Sequence, residues 1–496
     1  MRQLSKSKLI AYRQCPKRLW LEIHRPELRD DSGSEAAFAA GHQVGEVARQ
    51  VFDTNKDGVN LDPFLIGWDS AREQTKIQLR SGDRPIFEAL LQIPGAMALA
   101  DVMRRDHSCA DLKWEMIEVK GSASVKDYNR DDIAIQTYIA EKCGVPLSKS
   151  GLAHLDTSFV YSGNGDYEGL FHVEDLTEEA RSRREEVAEW MAEAQSISAL
   201  DEAPAIEMGP QCSDPFPCSF CAHCSEGVEP VEDPFHMIPN LHRKRREAWE
   251  STGIERLEDI PLDELNDLQT RVREANLTEQ AYCDAESARN ILAGYESPAY
   301  FLDFETVMFS VPIWTGTRPF QNIPFQYSLH RVDERETLHH MEFLVLDGED
   351  PRRALTEQMI QECGTQGPVF VYNATFEKKV ISELAEMFPD LQEPLEALKD
   401  RIVDLLPIAR QCYYHPLQGR SWSLKAVTPA IAPELSYSDL EGVQGGLEAG
   451  PAYLEAIGPE TSVERKEELR QQMLAYCKLD TLATVRIWEY FKGDHQ

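Results

Sequence analysis

Asp303 and Glu305 stand two residues apart in 299–306 (AYFLDFET), and this pair constrains the chain more than any other feature. The run reads as an apolar strand. Side chains alternate between the two faces of a strand, so residues i and i+2 share a face, where two carboxylates can hold two divalent ions. A second apolar strand, 368–372 (PVFVY), runs into Asn373, Glu377 and then a helix. Residues 472–480 (QMLAYCKLD) read as helical, which puts Tyr476 and Asp480 one turn apart on one face. A solvated surface acid explains any one of these motifs alone; it does not explain three in this order.

The charge limits what such acids can act on. The 496 residues hold 51 Lys+Arg against 85 Asp+Glu, a formal net charge of −34. A field of that sign repels a phosphate backbone, so a nucleic-acid site must be a local basic patch or depend on metal ions. A polybasic-tail binder is excluded. The first 30 residues supply such a patch, eight Lys/Arg against three Asp/Glu, with Arg13, Lys17 and Arg18 as candidate nucleic-acid contacts. Length predicts about three domains at roughly 150 residues each. No unbroken apolar run of about 18 residues predicts a membrane span. Eleven cysteines without a secretory signal point to a reducing cytoplasm, where clustered thiols hold metals rather than disulfides.

A second acid set lies early in the chain. Residues 97–102 (MALADV) place Asp101 in an apolar, strand-like run, and 114–120 (WEMIEVK) alternate, so that Glu118 and Lys120 share a face. Two converging carboxylates can hold Mg²⁺ or Mn²⁺, and a lysine beside them can orient a nucleophile and offset phosphate charge. The helix that follows carries Asp131, Asp132, Gln136 and Tyr138, the last two usable for nucleic-acid contact.

Cys212, Cys218, Cys221 and Cys224 fall within thirteen residues. Buried reduced thiols would be scattered at core spacing, whereas these are clustered, as soft donors to a metal are. Four local cysteines fit tetrahedral Zn²⁺, with His223 as a spare donor. Cys15 stands near the other end of the same region, in a segment reading LIAYRQCPKRLW.

These motifs resemble two nuclease families. Asp101 and the Glu118-Val119-Lys120 strand resemble PD-(D/E)XK nucleases of the RecB-like branch. Gly41-His42-Gln43-Val44-Gly45-Glu46 departs from the histidine-bearing first helix of many relatives, with His42 early and Glu46 late. The Cys15 segment with a remote cysteine cluster is similar to RecB-like nucleases that carry a 4Fe–4S cluster. That resemblance implies Cys15, Cys212, Cys218 and Cys224 as ligands, with Cys221 extra or alternative. Asp303, Glu305, Glu377, Tyr476 and Asp480 resemble the tyrosine form of the DnaQ-like DEDD 3′→5′ exonucleases, in which the acids bind two metals and the tyrosine positions water. Glu377 stands where that family usually has Asp. Asp404, in 401–410 (RIVDLLPIAR), is a less favoured substitute.

The implied architecture is α/β: a PD-(D/E)XK restriction-endonuclease-like domain over 1–225, a helical connector over 226–295, and an RNase H-like mixed-sheet domain over 296–496. The clearest seam is 225–240, with three prolines and several acids; 253–261 in the connector resembles a helix-hairpin-helix element. The implied activity is metal-dependent phosphodiester hydrolysis of DNA that is single-stranded or has free ends, with RNA 3′ trimming, or a DNA-end-binding adaptor active only in its C-terminal half, as alternatives. Membrane partners are not expected.

Overall fold

The computed structural model describes residues 1–30, 35–82, 84–227 and 235–493. The centre of the 225–240 seam lies outside the described residues. The fold is α/β. By contacts it forms two units, Met1–Glu229 with Phe309–Phe320, and Pro230–Met308 with Gln321–Gln496. Among the described residues, no helix is long and apolar enough to cross a membrane.

The first unit is built on a mixed sheet in the order Val59–Asn60, Ile86–Ile93, Ala96–Arg105, Trp114–Lys120, Leu147–Leu155, Phe171–Asp175, with Leu4–Ser5 pairing Ala96–Met97. The strand Trp114–Lys120 is antiparallel to Ala96–Arg105 and parallel to Leu147–Leu155. Alternation puts Trp114, Met116, Glu118 and Lys120 on one face. Trp114 and Met116 pack there with Ile133, Ile139 and Ala140 of the helix Asp127–Lys142. Glu118 is thereby carried beneath that helix. Residues 309–320 belong to this unit through Val311, which packs with Val44, Val47, Leu155 and Leu170, and through backbone bonds in which the Tyr161 N–H donates to Thr317 O and the Gly316 N–H to Tyr161 O.

The second unit has a five-stranded sheet in the order Leu338–Leu344, Ile323–Val332, Ala299–Val307, Val369–Val371, Ile402–Asp404. The first three strands are antiparallel, and the last two run parallel to Ala299–Val307. Tyr300, Leu302 and Phe304 enter one core; Ala299 and Phe301 enter another with Phe370, Val485 and Trp488. The helix Val463–Lys492 supplies Val485 and Trp488, so it covers the face from which Asp303 and Glu305 project. Most of 226–295 counts with this unit. Val272 and Ala275 of the helix Asp267–Thr278, with Ala288 and Leu292 of Ala285–Leu292, are buried in the Phe301 core.

Candidate functional site

The second unit brings Asp303, Glu305, Glu377 and Asp480 into one cluster, with Asp303 half-buried and the other three buried. Asp303 and Glu305 come from the strand Ala299–Val307, Glu377 from the first turn of the helix Ala374–Met387, and Asp480 from Val463–Lys492. Burial and the neighbouring carboxylates Asp480, Glu305 and Glu377 hold the Asp303 carboxyl well above its ordinary range. Burial and Asp480 push Glu305 up to about 8, against Lys425, and burial pushes Glu377 up to about 8. Desolvation and like charge act in the same direction here.

Two observations test whether these residues fit a divalent ion. One donor atom each from Asp303, Glu305 and Cys477 lie within 4.8 Å of one another. Glu377 is 3% exposed and its Oε2 is buried without a hydrogen-bond partner. A carboxylate oxygen removed from water is costly unless something compensates it, and a cation would. The donor set fits.

Two tyrosines meet Asp480. Tyr437 donates to Asp480 Oδ1 at 2.5 Å, and Tyr476 also hydrogen-bonds Asp480. The Lys425 ammonium lies 4.7 Å from the Tyr476 ring centroid and 5.1 Å from that of Tyr437, and donates to Gln444 O. A cleft of about 930 Å³ opens beside Asp303, Tyr476 and Asp480, lined also by Tyr372, Asn373, Arg410, Arg420 and Lys425. Asn373 adopts φ +83° at the head of the Glu377 helix. Asp404 accepts from the backbone N–H groups of Asn373 and Ala374, each at 3.0 Å, and of Leu406 at 2.9 Å. Its oxygens are thus used in capping, which removes it as a substitute for Glu377. Asp404→Ala should cost the second unit about 2 kcal/mol, the upper end for a lost cap, read as a lower urea midpoint.

In the first unit, Glu118 accepts from Lys6 Nζ, Lys120 Nζ and Gln136 Nε2, each at 2.5 Å. Asp132 lies 3.0 Å from Lys120 and 3.3 Å from Lys6. Burial works against the two ammonium charges, but Asp132 and Glu118 outweigh it and hold both lysines above their ordinary range. Asp101 accepts from the Val119 N–H at 2.7 Å, and burial and Glu118 push it up to about 8. A pocket of about 280 Å³ beside Asp101 and Lys120 is lined by Gly41, His42, Gly45, Arg49 and Glu88. Exposed His42 and Glu46 lie 3.5 Å apart.

Of the expected nucleic-acid contacts in this unit, Gln136 is buried, Tyr138, Lys17 and Arg18 are half-buried and Arg13 is exposed. Gln136 is fully buried and donates to Glu118 and Asp132, because the helix face it shares with Ile133, Ile139 and Ala140 is the face that covers the sheet. Tyr138 packs against that core, with Lys142 over its ring. Arg13 pairs with Asp131 at 3.0 Å and stacks 4.0 Å from the Trp190 centroid. Lys17 and Arg18 line a pocket with Cys15, Cys212, Cys218, Cys221 and Cys224. Gln14 holds the cysteine loop against the N-terminal helices by donating to Gln211 O at 2.9 Å and Phe216 O at 2.7 Å. Five thiols at one pocket suit a thiophilic metal. His223, expected as a spare donor, does not line that pocket, and its Nδ1 lies 3.6 Å from Glu226 Oε2.

Lys6, Glu88, Lys425 and Tyr437 were not anticipated, since none lies in a motif with the acids it meets. Cys477 sits inside the Tyr476–Asp480 turn and was readable as a same-face neighbour.

A family model described as a domain of unknown function (DUF2779) matches residues 300–423. The match includes Asp303, Glu305 and Glu377 and ends before Lys425, Tyr476 and Asp480. No curated protein matches the chain.

Proposed function

We propose that the chain is a metal-dependent nuclease whose second unit removes nucleotides from the 3′ ends of DNA. The observation that carries this reading is the convergence of four carboxylates from three distant segments into one largely buried cluster at the edge of an open cleft. The DEDD resemblance adds the order of the motifs. Mg²⁺ or Mn²⁺ held by Asp303, Glu305, Glu377 and Asp480 would neutralise phosphate charge and supply a water of lowered pKa. Tyr476 and Tyr437 hold Asp480 in one orientation and present hydroxyls toward the attacking water. Arg410, Arg420 and Lys425 offer cations to the substrate phosphates, the local basic patch that a chain of net charge −34 needs.

The first unit is proposed as a second, RecB-like nuclease centre using Asp101, Glu118 and Lys120, with the Cys15–Cys224 pocket holding a 4Fe–4S cluster, or Zn²⁺, that ties the unit's ends together.

The test uses wild type, Lys120→Ala and Asp303→Ala with Mg²⁺ or Mn²⁺ and 5′-labelled single-stranded DNA or RNA. A 3′-shortening ladder abolished only by Asp303→Ala assigns catalysis to the second unit, and separate losses in each variant assign two centres. A ladder unaffected by Asp303→Ala would sink the reading, and a ladder on RNA alone would move the substrate to RNA.

A further inference from the structure

We propose that Cys477 is a third donor, with Asp303 and Glu305, in a site that takes a thiophilic divalent ion such as Zn²⁺ in preference to Mg²⁺. The proposal rests on reading the acid cluster as a metal centre. It adds to that reading a donor that hard-ion chemistry does not call for.

The geometry follows from one turn of helix. Tyr476, Cys477 and Asp480 project from the same stretch of Val463–Lys492, and Cys477 is fully buried between that helix and the strand Ala299–Val307. Its Sγ lies 3.8 Å from Asp303 Oδ2 and 3.9 Å from Asp303 O, so the thiol faces the carboxylate rather than the apolar core. The donor atoms of Asp303, Glu305 and Cys477 are mutually within 4.8 Å. Zinc bonds of about 2.0 Å to oxygen and 2.3 Å to sulfur in a tetrahedron bring donors to roughly 3.3–3.8 Å apart, so a contraction of about 1 Å closes the site. Glu377 lies outside this 4.8 Å group, and its Oε2 is buried, unpartnered and within electrostatic reach of Asp303.

Oxygen donors alone suit Mg²⁺ and Mn²⁺; adding a thiolate shifts preference toward softer ions. On binding, the thiol proton passes to solvent as the sulfur–metal bond forms, so each ion taken up releases one proton from Cys477. The consequence for the proposed nuclease is a centre at which Zn²⁺ displaces the working ions and inhibits.

The full chain is titrated with Zn²⁺ by equilibrium dialysis as wild type, Cys477→Ser, Cys477→Ala, Asp303→Ala and Cys363→Ser, each checked for fold by circular dichroism. The count includes the Cys15–Cys224 pocket in every sample, so differences between variants isolate this site. Cys477→Ser and Cys477→Ala are each expected to weaken one Zn²⁺ by more than about 100-fold, beyond the cost of losing an outer-shell partner. Asp303→Ala should lose the same ion. Cys363→Ser, which alters a core thiol of the same unit, should keep the wild-type count. Cd²⁺ gives a second readout, a thiolate charge-transfer absorbance larger in wild type than in Cys477→Ser. Unchanged Zn²⁺ binding and Cd²⁺ absorbance in the Cys477 variants would overturn the proposal, and would leave the Mg²⁺-dependent DNA ladder of wild type untouched. Absence of that ladder with the Zn²⁺ difference present would overturn only the nuclease reading.

Discussion

Asp303→Asn is expected to remove 3′-end degradation by roughly a thousandfold, comparable to losing a principal electrostatic contact to the transition state, and at the same time to raise the melting temperature of the ion-free protein. The second effect follows from the charge count at the site. Asp303, Glu305, Glu377 and Asp480 repel one another in a largely buried cluster, and Lys425 is the cation that reaches Glu305 and Asp480. Because Glu305 and Glu377 are pushed up to about 8, protonation relieves much of this repulsion near neutrality. At about pH 9, where the carboxylates are ionised, one like-charge pair at about 5 Å and an effective dielectric near 20 costs roughly 3 kcal/mol before relaxation. Replacing one carboxylate by its amide should return about 1–3 kcal/mol, a rise of several degrees for a unit of this size. Adding Mg²⁺ should then raise the wild-type melting temperature and leave that of Asp303→Asn nearly unmoved, because an ion that binds only the folded state stabilises it by mass action. Differential scanning calorimetry in chelator and in Mg²⁺ reads both. A lower melting temperature for Asp303→Asn in chelator would mean that the cluster is not under repulsion.

The face shared by Asp303 and Glu305 was readable from strand alternation, and Tyr476 with Asp480 from helical spacing, because both are local rules acting over two to four residues. The α/β class followed from the same patterns. Partners that meet only through the fold were not readable. Lys6 reaches Glu118 across 112 residues, and Lys425 and Tyr437 reach the acids from segments with no period or motif of their own. Gln136 was misplaced for a related reason. A polar residue on a helix is ordinarily a surface residue, and only the position of Glu118 beneath that helix makes a buried amide favourable. Asp404 shows the converse. Its acid type matched a ligand, but its place between a strand end and two helix starts gave it three backbone donors to satisfy.

The two acid centres differ in charge balance, and the opposite response is therefore expected in the first unit. There Glu118 and Asp132 are already compensated by Lys6 and Lys120. Asp132→Ala leaves two half-buried ammonium groups sharing Glu118, with Asp101 nearby, and breaking a largely buried pair from one side costs up to about 3–5 kcal/mol. Hydrogen exchange of the strand Trp114–Lys120 should report it as protection lower by a factor between about a hundred and a few thousand, at 1.4 kcal/mol per tenfold. Exchange in the strand Ala299–Val307 should hold at its wild-type rate if the two units open independently. Protection at Trp114–Lys120 unchanged in Asp132→Ala would show that the lysines find solvent without Asp132, and the network would then be a surface one. The same balance bears on metal affinity. Lys6 and Lys120 both bond Glu118 Oε1, so on the proposed reading a divalent ion would have to displace an ammonium group at this centre, whereas at Asp303 it would relieve repulsion. Of the two centres, the first should therefore require the higher Mg²⁺ concentration, and replacing Lys6 by methionine should lower that requirement while weakening the unit.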